Sequence, residues 1–344
     1  MTQRVLPGQL VGEFLGVGSV GESDPKAALP YVKRLKLPYA YQVPRIKEED
    51  MIRQFGSLVE GFEEKGDYIL DLDLYAYQEM TQNGTPLIPD QSHAHGLYLM
   101  MDGSRYEFFK TQQTAPATMC FSTRGSDGRQ LVSQRMFHFY SSLMTRVAKG
   151  QVEHLSRSCK TVFLCQDDPA LGFVVKMIRD GRADGLTLRQ VIDGTEKLFP
   201  KSVVPAYHYC DDWRLLSSNG SYILWDGVPK IVHIDVLAFR PEIDPGQAES
   251  INSFMERGGA LGLGVLPNVD DAYITPVTET LRRNLKLVLE SFQKSTVSLD
   301  LLHDRAMIST QCGLSRASSP LSKEIHEKSN EFRSIFEETI KRLL

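Results

Sequence analysis

The sequence predicts a (β/α)₈ barrel: a single TIM-barrel domain over residues 1–344, with a small β-hairpin insertion. Three observations predict it. Eight short, apolar, β-prone runs can be counted along the chain. Amphipathic helical segments separate most of them, the alternation expected of a parallel sheet with its helices outside. No internal repeat, low-complexity tract or linker divides the chain.

The first run is Leu10 to Val17. Asp24 then reads as a helix N-cap, with Pro25 at the first helical position and Leu29, Val32 and Leu35 at helical spacing; Pro30 sits inside this helix and bends it. The second run is Tyr68 to Leu74. The segment from Gly96 to Phe109 reads as the inserted hairpin, turning at Asp102-Gly103. The third run starts near Phe108 and closes in Thr114-Ala115-Pro116-Ala117-Thr118. A helix is expected from Ser133 to Leu155, with Phe137, Tyr140, Leu143, Met144 and Val147 on one face. The fourth run, Thr161 to Cys165, ends in Gln166-Asp167-Asp168-Pro169, and a helix near Leu188 to Leu198 leads to the fifth, Val203 to Cys210. The sixth is Ile231 to Val236, and the seventh, Ala260 to Leu266, follows Gly258-Gly259. A long helix carries Leu281, Leu285, Val288, Leu289 and Phe292 on one stripe. The eighth run, Ala306 to Thr310, ends in Gln311-Cys312-Gly313, and the last helix starts near Ser319-Pro320.

Composition narrows the function. With 344 residues, a net charge of −4 and 42% hydrophobic residues, the chain has a soluble globular profile. That balance makes no electrostatic case for nucleic acid or an anionic membrane. No apolar run approaches the ~20 residues of a membrane span, and the segment Met1 to Pro7 lacks the apolar core of a signal peptide. Five widely spread cysteines (120, 159, 165, 210 and 312) suit free thiols or metal ligands in a reducing, cytoplasmic setting.

The chemistry is expected at the C-terminal ends of the strands, where barrels of this kind keep their active sites. His208 and Cys210 close the fifth run two residues apart, so an extended strand puts both on one side. Asp235 lies late in the sixth run and Cys312 closes the eighth, making four candidate zinc ligands: His208, Cys210, Asp235 and Cys312. The gaps of 25 residues from 210 to 235 and 77 from 235 to 312 exclude a compact zinc finger but suit a site assembled by a barrel. Zinc held by two thiolates and an imidazole is a weak Lewis acid toward water, yet it keeps a substrate thiol ionised and nucleophilic at neutral pH. Asp235 is the most exchangeable of the four donors, and the chemistry indicated is alkyl transfer to sulfur.

Plainer readings stand beside these. A His-x-Cys pair on a strand is also ordinary core packing, a single Cys312 an inert buried thiol, and Asp167-Asp168-Pro169 a capped turn. Cys120, Cys159 and Cys165 read as structural, and His93-Ala94-His95 as solvated loop residues. Gly16-Val17-Gly18-Ser19-Val20-Gly21 matches G-x-G-x-x-G, but the acid that a nicotinamide site wants about twenty residues on is missing around Ala40–Val43. The glycines are expected to allow close backbone approach at the barrel mouth.

Taken in order, these pieces resemble the catalytic domain of cobalamin-independent methionine synthase and its short single-barrel relatives, in the superfamily shared with uroporphyrinogen decarboxylase. Val17-Gly18-Ser19 is similar to the family's Ile-Gly-Ser, Tyr39 to Pro44 to an aromatic-Pro stretch, and Gln166 to Leu171 to Asp-Glu-Pro-Ala-Leu. His208-Tyr209-Cys210 is similar to its His-x-Cys, Asp212-Trp213 to the short relatives' Asp-Trp, and Cys312-Gly313-Leu314 to its Cys-Gly-Leu. The resemblance implies a zinc cofactor on His208, Cys210 and Cys312, with Asp235 where the family has Glu. It implies that Gly18, Ser19 and Asp167 face the amino-acid part of a thiol substrate, homocysteine first, with Asp167 on its ammonium. The chain departs from the family in having Asp168 where Glu is usual and in lacking a Gly-Glu-Pro segment. It also has no room for the second half that holds folate in the full-length enzymes, so the methyl donor stays open between a corrinoid, a corrinoid protein and a folate. A zinc-free tetrapyrrole decarboxylase-like enzyme and a non-catalytic zinc- or corrinoid-binding module are the alternatives; the first would want an Arg cluster at the mouth, whereas Arg34, Arg45, Arg53, Arg105 and Arg124 are scattered.

Overall fold

The computed structural model describes residues 4–218 and 221–344, so Met1, Thr2 and Gln3 of the amino-terminal segment lie outside the described residues. Its centre is a six-stranded sheet: β1 Tyr106–Thr114, β2 Cys159–Asp167, β3 Val203–Tyr209, β4 Ile231–Ile234, β5 Ala260–Leu266 and β6 Ala306–Thr310. The strands lie in sequence order and every neighbouring pair is parallel. Strands covered on both faces tolerate no polar outer side, which is why β5 reads Ala-Leu-Gly-Leu-Gly-Val-Leu and is buried throughout.

Helices cover the outer face. Gln134–Leu155 connects β1 to β2, Leu171–Arg179 and Leu188–Glu196 connect β2 to β3, and Pro245–Glu256 connects β4 to β5. Val277–Lys294 and Leu299–Arg305 connect β5 to β6, and Ser319–Lys328 and Phe332–Lys341 follow β6. Side-chain caps start these helices where the sequence has them: Ser133 accepts from the Met136 amide, Asp244 from Gln247, and Thr187 forms a reciprocal box with Gln190. Between β3 and β4 the described residues form no α-helix, only the short 3-10 turn Trp213–Leu215 and a pair of two-residue strands.

The sheet curls so that its edges approach one another, and two irregular segments fill the gap. Phe14 bridges Ile308 of β6, Ser19 bridges Gln42, and Tyr39 bridges Lys110 of β1, all parallel. The Gly12 and Leu15 amides donate to Ala306 and Ile308, and the Ala40 amide donates to Lys110. The architecture is TIM-barrel-like, with six regular strands.

Two of the expected strands differ. The first run survives as the Phe14 bridge, because Gly12 has φ +73° and Gly16 leaves no room for a side chain beside the Tyr39 ring, which a Cβ would meet at 2.2 Å. The second run lies outside the main sheet: Asp67–Leu70 pairs antiparallel with Phe62–Lys65, and Leu74–Gln82 is helical. The expected hairpin at Gly96–Phe109 is not one. His95–Met100 is a helix with Gly96, Leu97 and Met100 buried, and Tyr106 pairs in parallel with Cys159 rather than folding back. Helical spacing of the buried residues, together with Gly96 packed onto the Tyr41 backbone, where a Cβ would stand 2.0 Å from the carbonyl oxygen, overrides the turn signal at Asp102-Gly103. The hairpin insertion exists, but at Phe62–Leu70.

Inside the curl, alternate residues of each strand point inward. At the N-terminal end they are apolar, with Phe163, Cys165, Ala206, Ile231, Ala260 and Met307 forming a cluster with Leu10 and Leu15. Nearer the C-terminal end the same inward rows turn polar: Lys110, Asp167, His208, His233 and Ser309 are all buried. Among the described residues, no helix is long and apolar enough to cross a membrane.

Candidate functional site

The polar layer is built by strand register. Asp167 of β2 pairs with His208 of β3, and His208 pairs with His233 of β4. Neighbouring parallel strands stand about 4.8 Å apart, so three ionisable side chains are brought side by side. Gly262 on β5 pairs with His233 and has no side chain; a Cβ there would meet the Leu15 side chain at 2.6 Å and the His233 ring at 3.3 Å.

Cys210, just past β3, and Cys312, just past β6, complete the mouth. One donor atom each from His208, Cys210 and Cys312 lie within 4.8 Å of one another. The His208 Nε2 to Cys312 Sγ distance is 3.6 Å. Tetrahedral zinc with Zn–N about 2.1 Å and Zn–S about 2.3 Å sets these atoms about 3.6 Å apart, so the donor set fits zinc in kind and spacing.

The electrostatics of the group follow from its contacts. The Cys210 thiol shares a hydrogen bond with Cys312, which holds Cys312 well below the usual thiol range and Cys210 well above it. Burial opposes charge on the His208 ring, but the hydrogen bond and the charge of Cys312 outweigh it, and the net direction is upward. Both directions favour negative charge at Cys312 and positive charge at His208, the polarity of a donor group that exchanges protons for a cation.

Behind His208 stands His233, 2% exposed, with Nδ1 to Nδ1 at 2.6 Å. The other nitrogen of His233, Nε2, lies 2.9 Å from the Thr310 carbonyl. Burial holds the His233 ring well below the usual histidine range, and the neighbouring His208 adds to the effect.

A cavity of about 290 Å³ opens over the group, lined by Gly18, Ser19, Asp167, His208, Cys210 and Cys312, among others. The residues expected to bind substrate therefore share one site with three of the four expected to bind metal, Asp235 being the exception. Gly313 keeps it tight: a Cβ there would fall 2.2 Å from Ser19 Oγ, and the Leu314 amide donates to the Ser19 carbonyl at 3.1 Å. Asp167 is buried, and its Oδ1 has no hydrogen-bond partner. Burial pushes its carboxyl upward, against the pull of Lys110 and His208.

Two acids play different parts. Asp168 is not among the residues lining the cavity and is held elsewhere: the Thr118 amide and hydroxyl donate to Oδ1 at 3.1 and 2.6 Å, and the Tyr207 hydroxyl donates to Oδ2 at 2.5 Å. Asp235 stands apart from the three-donor group. Its Oδ1 accepts from the Leu237 and Ala238 amides at 3.0 and 2.9 Å, and Gln311 Nε2 donates to Oδ2 at 3.0 Å. Burial pushes its pKa up to about 6.

Sequence reasoning missed Lys110, Gln112, His233 and Gln311. Lys110 had a signal, a lone cation in the run Phe108-Phe109-Lys110-Thr111. It is buried, and its Nζ donates to the Val17 carbonyl at 2.7 Å and to Gln112 Oε1 at 3.0 Å. His233 also had one, since it precedes Asp235 by two residues on the same inward row.

Comparison with known proteins bears on the fold. No family model matches the sequence, and no curated protein matches it. A solved structure of a B12-independent methionine synthase from Shewanella sp. W3-18-1, in complex with selenomethionine, is similar over 97% of this chain and 98% of that one, at 12% identity and a TM-score of 0.55. A methyltransferase from Methanosarcina mazei aligns over 99% of both chains at 10% identity, with a TM-score of 0.45, too low to add to the first. The likeness to the Shewanella structure shows a shared barrel-like fold along nearly the whole chain.

Proposed function

We propose that this chain is a zinc-dependent methyltransferase, one catalytic domain of (β/α)₈ type, that moves a methyl group onto a thiol, with homocysteine the first candidate acceptor. The observation that carries this reading is the meeting of His208, Cys210 and Cys312 donor atoms within 4.8 Å on the floor of a cavity that Asp167 also lines. The fold shared with a methionine synthase, and the selenomethionine in that neighbour, support a methionine-like ligand.

Zinc bound there would lower the pKa of an arriving thiol and keep it nucleophilic. The chain's own residues do the rest. His208, through Nε2, and the thiolates of Cys210 and Cys312 would hold the ion at the mouth, releasing whatever protons they carry. Asp167, with its unpartnered oxygen, offers a charge-assisted hydrogen bond to the substrate ammonium. Gly18 and Ser19 wall the amino-acid end of the cavity. The acceptor loses its S–H proton to solvent and gains an S–CH₃ bond, while the donor–CH₃ bond breaks with both electrons left on the donor. A methylated corrinoid, free or protein-borne, is the donor of first choice.

Asp235 can serve as an exchangeable fourth donor only by releasing Gln311 and two backbone amides. Three protein donors with an open fourth position fit the geometry better, because that position is then free for substrate sulfur. The decarboxylase-like alternative finds little support in the cavity wall, where no Arg is among the described residues that line it.

The deciding experiment measures metal in the untagged protein by plasma mass spectrometry and methyl transfer from methylcobalamin to homocysteine. The reading expects about one zinc per chain, lost together with activity in Cys210→Ala and Cys312→Ala. Full metal content and activity in both variants would sink it.

A further inference from the structure

His233 is neither a lining residue of the cavity nor one of the three proposed donors, yet its ring makes two directed hydrogen bonds deep in the sheet, one of them to the donor His208. Its Nε2 faces the Thr310 carbonyl at 2.9 Å. A carbonyl only accepts, so Nε2 carries a proton. The ring is 2% exposed, and its hydrogen-bond partners among the described residues are that carbonyl and a second imidazole; a charged ring in such a place is costly. His233 is therefore neutral, and its Nδ1 is bare. The 2.6 Å contact to His208 Nδ1 then has one possible direction: His208 Nδ1–H donates.

That direction decides which nitrogen of His208 stays available. With Nδ1 holding its proton, Nε2 is the only nitrogen that can present a lone pair, and Nε2 is the one 3.6 Å from Cys312. The conclusion holds whether or not His208 also carries a second proton, because that proton sits on Nε2 and is the one a metal displaces.

We propose that His233 is a positioning residue that anchors the His208 tautomer, locking the proton on Nδ1 and pointing Nε2 at the thiol pair before any ion arrives. Its purpose rests on the metal reading above; its hydrogen-bond geometry does not. An imidazole here does what a carboxylate or carbonyl does behind most metal-binding histidines. The difference is that a bare imidazole nitrogen accepts without bringing negative charge into the sheet. The anchor reaches further, since Thr310 precedes the loop that carries Cys312. Thr310 Oγ1 also donates to the Cys312 carbonyl at 2.7 Å. One chain of hydrogen bonds thus runs from His208 through His233 and Thr310 to the backbone of the second thiol ligand.

The test has two arms. Protein labelled with ¹⁵N-histidine and freed of metal is examined by NMR for the N–H···N pair. The expected result is a proton on His208 Nδ1, coupled through the hydrogen bond to an unprotonated His233 Nδ1. A proton found on His233 Nδ1 instead, or no such pair, overturns the proposal whatever the metal content. In the second arm, zinc affinity is measured by competition with a chromophoric chelator. His233→Leu removes both hydrogen bonds and is expected to weaken binding ten- to hundredfold. His233→Gln keeps an acceptor for His208 and a donor for Thr310 and is expected to stay within a few-fold of the unmodified protein. Equal affinity in all three proteins refutes the anchor. Absence of zinc binding in the unmodified protein defeats the metal reading, and the NMR arm still decides the proton's place.

Discussion

Asp167→Asn is expected to move two measurements in opposite directions. The carboxylate is buried, one oxygen is unpartnered, and burial outweighs Lys110 and His208 in pushing its carboxyl upward. The folded protein therefore pays for the charge, and the neutral amide of the same shape removes that penalty. A buried unsatisfied polar atom costs on the order of 1–3 kcal/mol, so a gain of about 1 kcal/mol in unfolding free energy at pH 7.5 is expected for the variant, net of the new amide's own imperfect bonding. Because the folded-state value lies above the unfolded one, the penalty is absent at low pH and grows as pH rises. The gain should therefore shrink as pH falls toward the ordinary carboxylate range near 4. Ligand binding should suffer instead. Losing a charge-assisted hydrogen bond to a substrate ammonium costs roughly 1.5–3 kcal/mol, about ten- to hundredfold in affinity. Urea midpoints at pH 7.5 and 4.5, with calorimetric titration of homocysteine and methionine, read both effects. A variant that is less stable at pH 7.5 and binds both ligands as well as the unmodified protein would refute the reasoning.

Two further predictions concern groups outside the cavity. His326 is buried, its Nε2 2.7 Å from the Tyr39 hydroxyl, and burial pushes its pKa down to about 4. Against an unfolded value near 6.5, its contribution is fully present above pH 6.5 and lost as pH falls toward 4, about 3 kcal/mol in all. His326→Gln should flatten the stability–pH curve by that amount in that window; parallel curves for the two proteins would contradict the prediction. Asp168→Ala strands the Thr118 amide, the Thr118 hydroxyl and the Tyr207 hydroxyl. A loss of about 3 kcal/mol or more is expected, with metal content unchanged in the protein that folds. Loss of metal at full stability would assign Asp168 to the site instead of the scaffold.

The parts legible in the sequence were those with a strict period. Six of the eight expected strand runs became strands, because continuous apolar stretches such as Thr161–Cys165 and Ala260–Leu266 suit a sheet buried on both faces. His208, Cys210 and Cys312 were legible because strand ends can be counted, and counting places them at one mouth. What was not legible lay where chain geometry competes with pattern. Gly12 and Gly16 reduce Leu10–Val17 to a bridge, and the Asp102-Gly103 turn signal outweighed a short helix that is recognisable only from its packing on Tyr41. Asp235 shows the limit most clearly. Its place on the inward row is readable, but the capture of its carboxylate by Leu237, Ala238 and Gln311 depends on a local turn that no spacing rule contains.

The gap in the sheet is closed by residues from opposite ends of the chain. Ser309 Oγ donates to the Leu15 carbonyl at 2.6 Å, Leu314 meets Ser19, and the Gly21 amide reaches Ser322 Oγ at 3.1 Å, 301 positions away. Contacts of such separation are the slowest to form, since nearly all of the intervening chain must be in place before they reward the ordering. The cavity is therefore expected to close late in folding, with its walls Gly18 and Ser19 waiting, already synthesised, for Cys312 and Gly313 to arrive. Until then the thiol of Cys210 stands at an open seam, so the partly folded chain is the form most vulnerable to oxidation or to capture of the wrong metal.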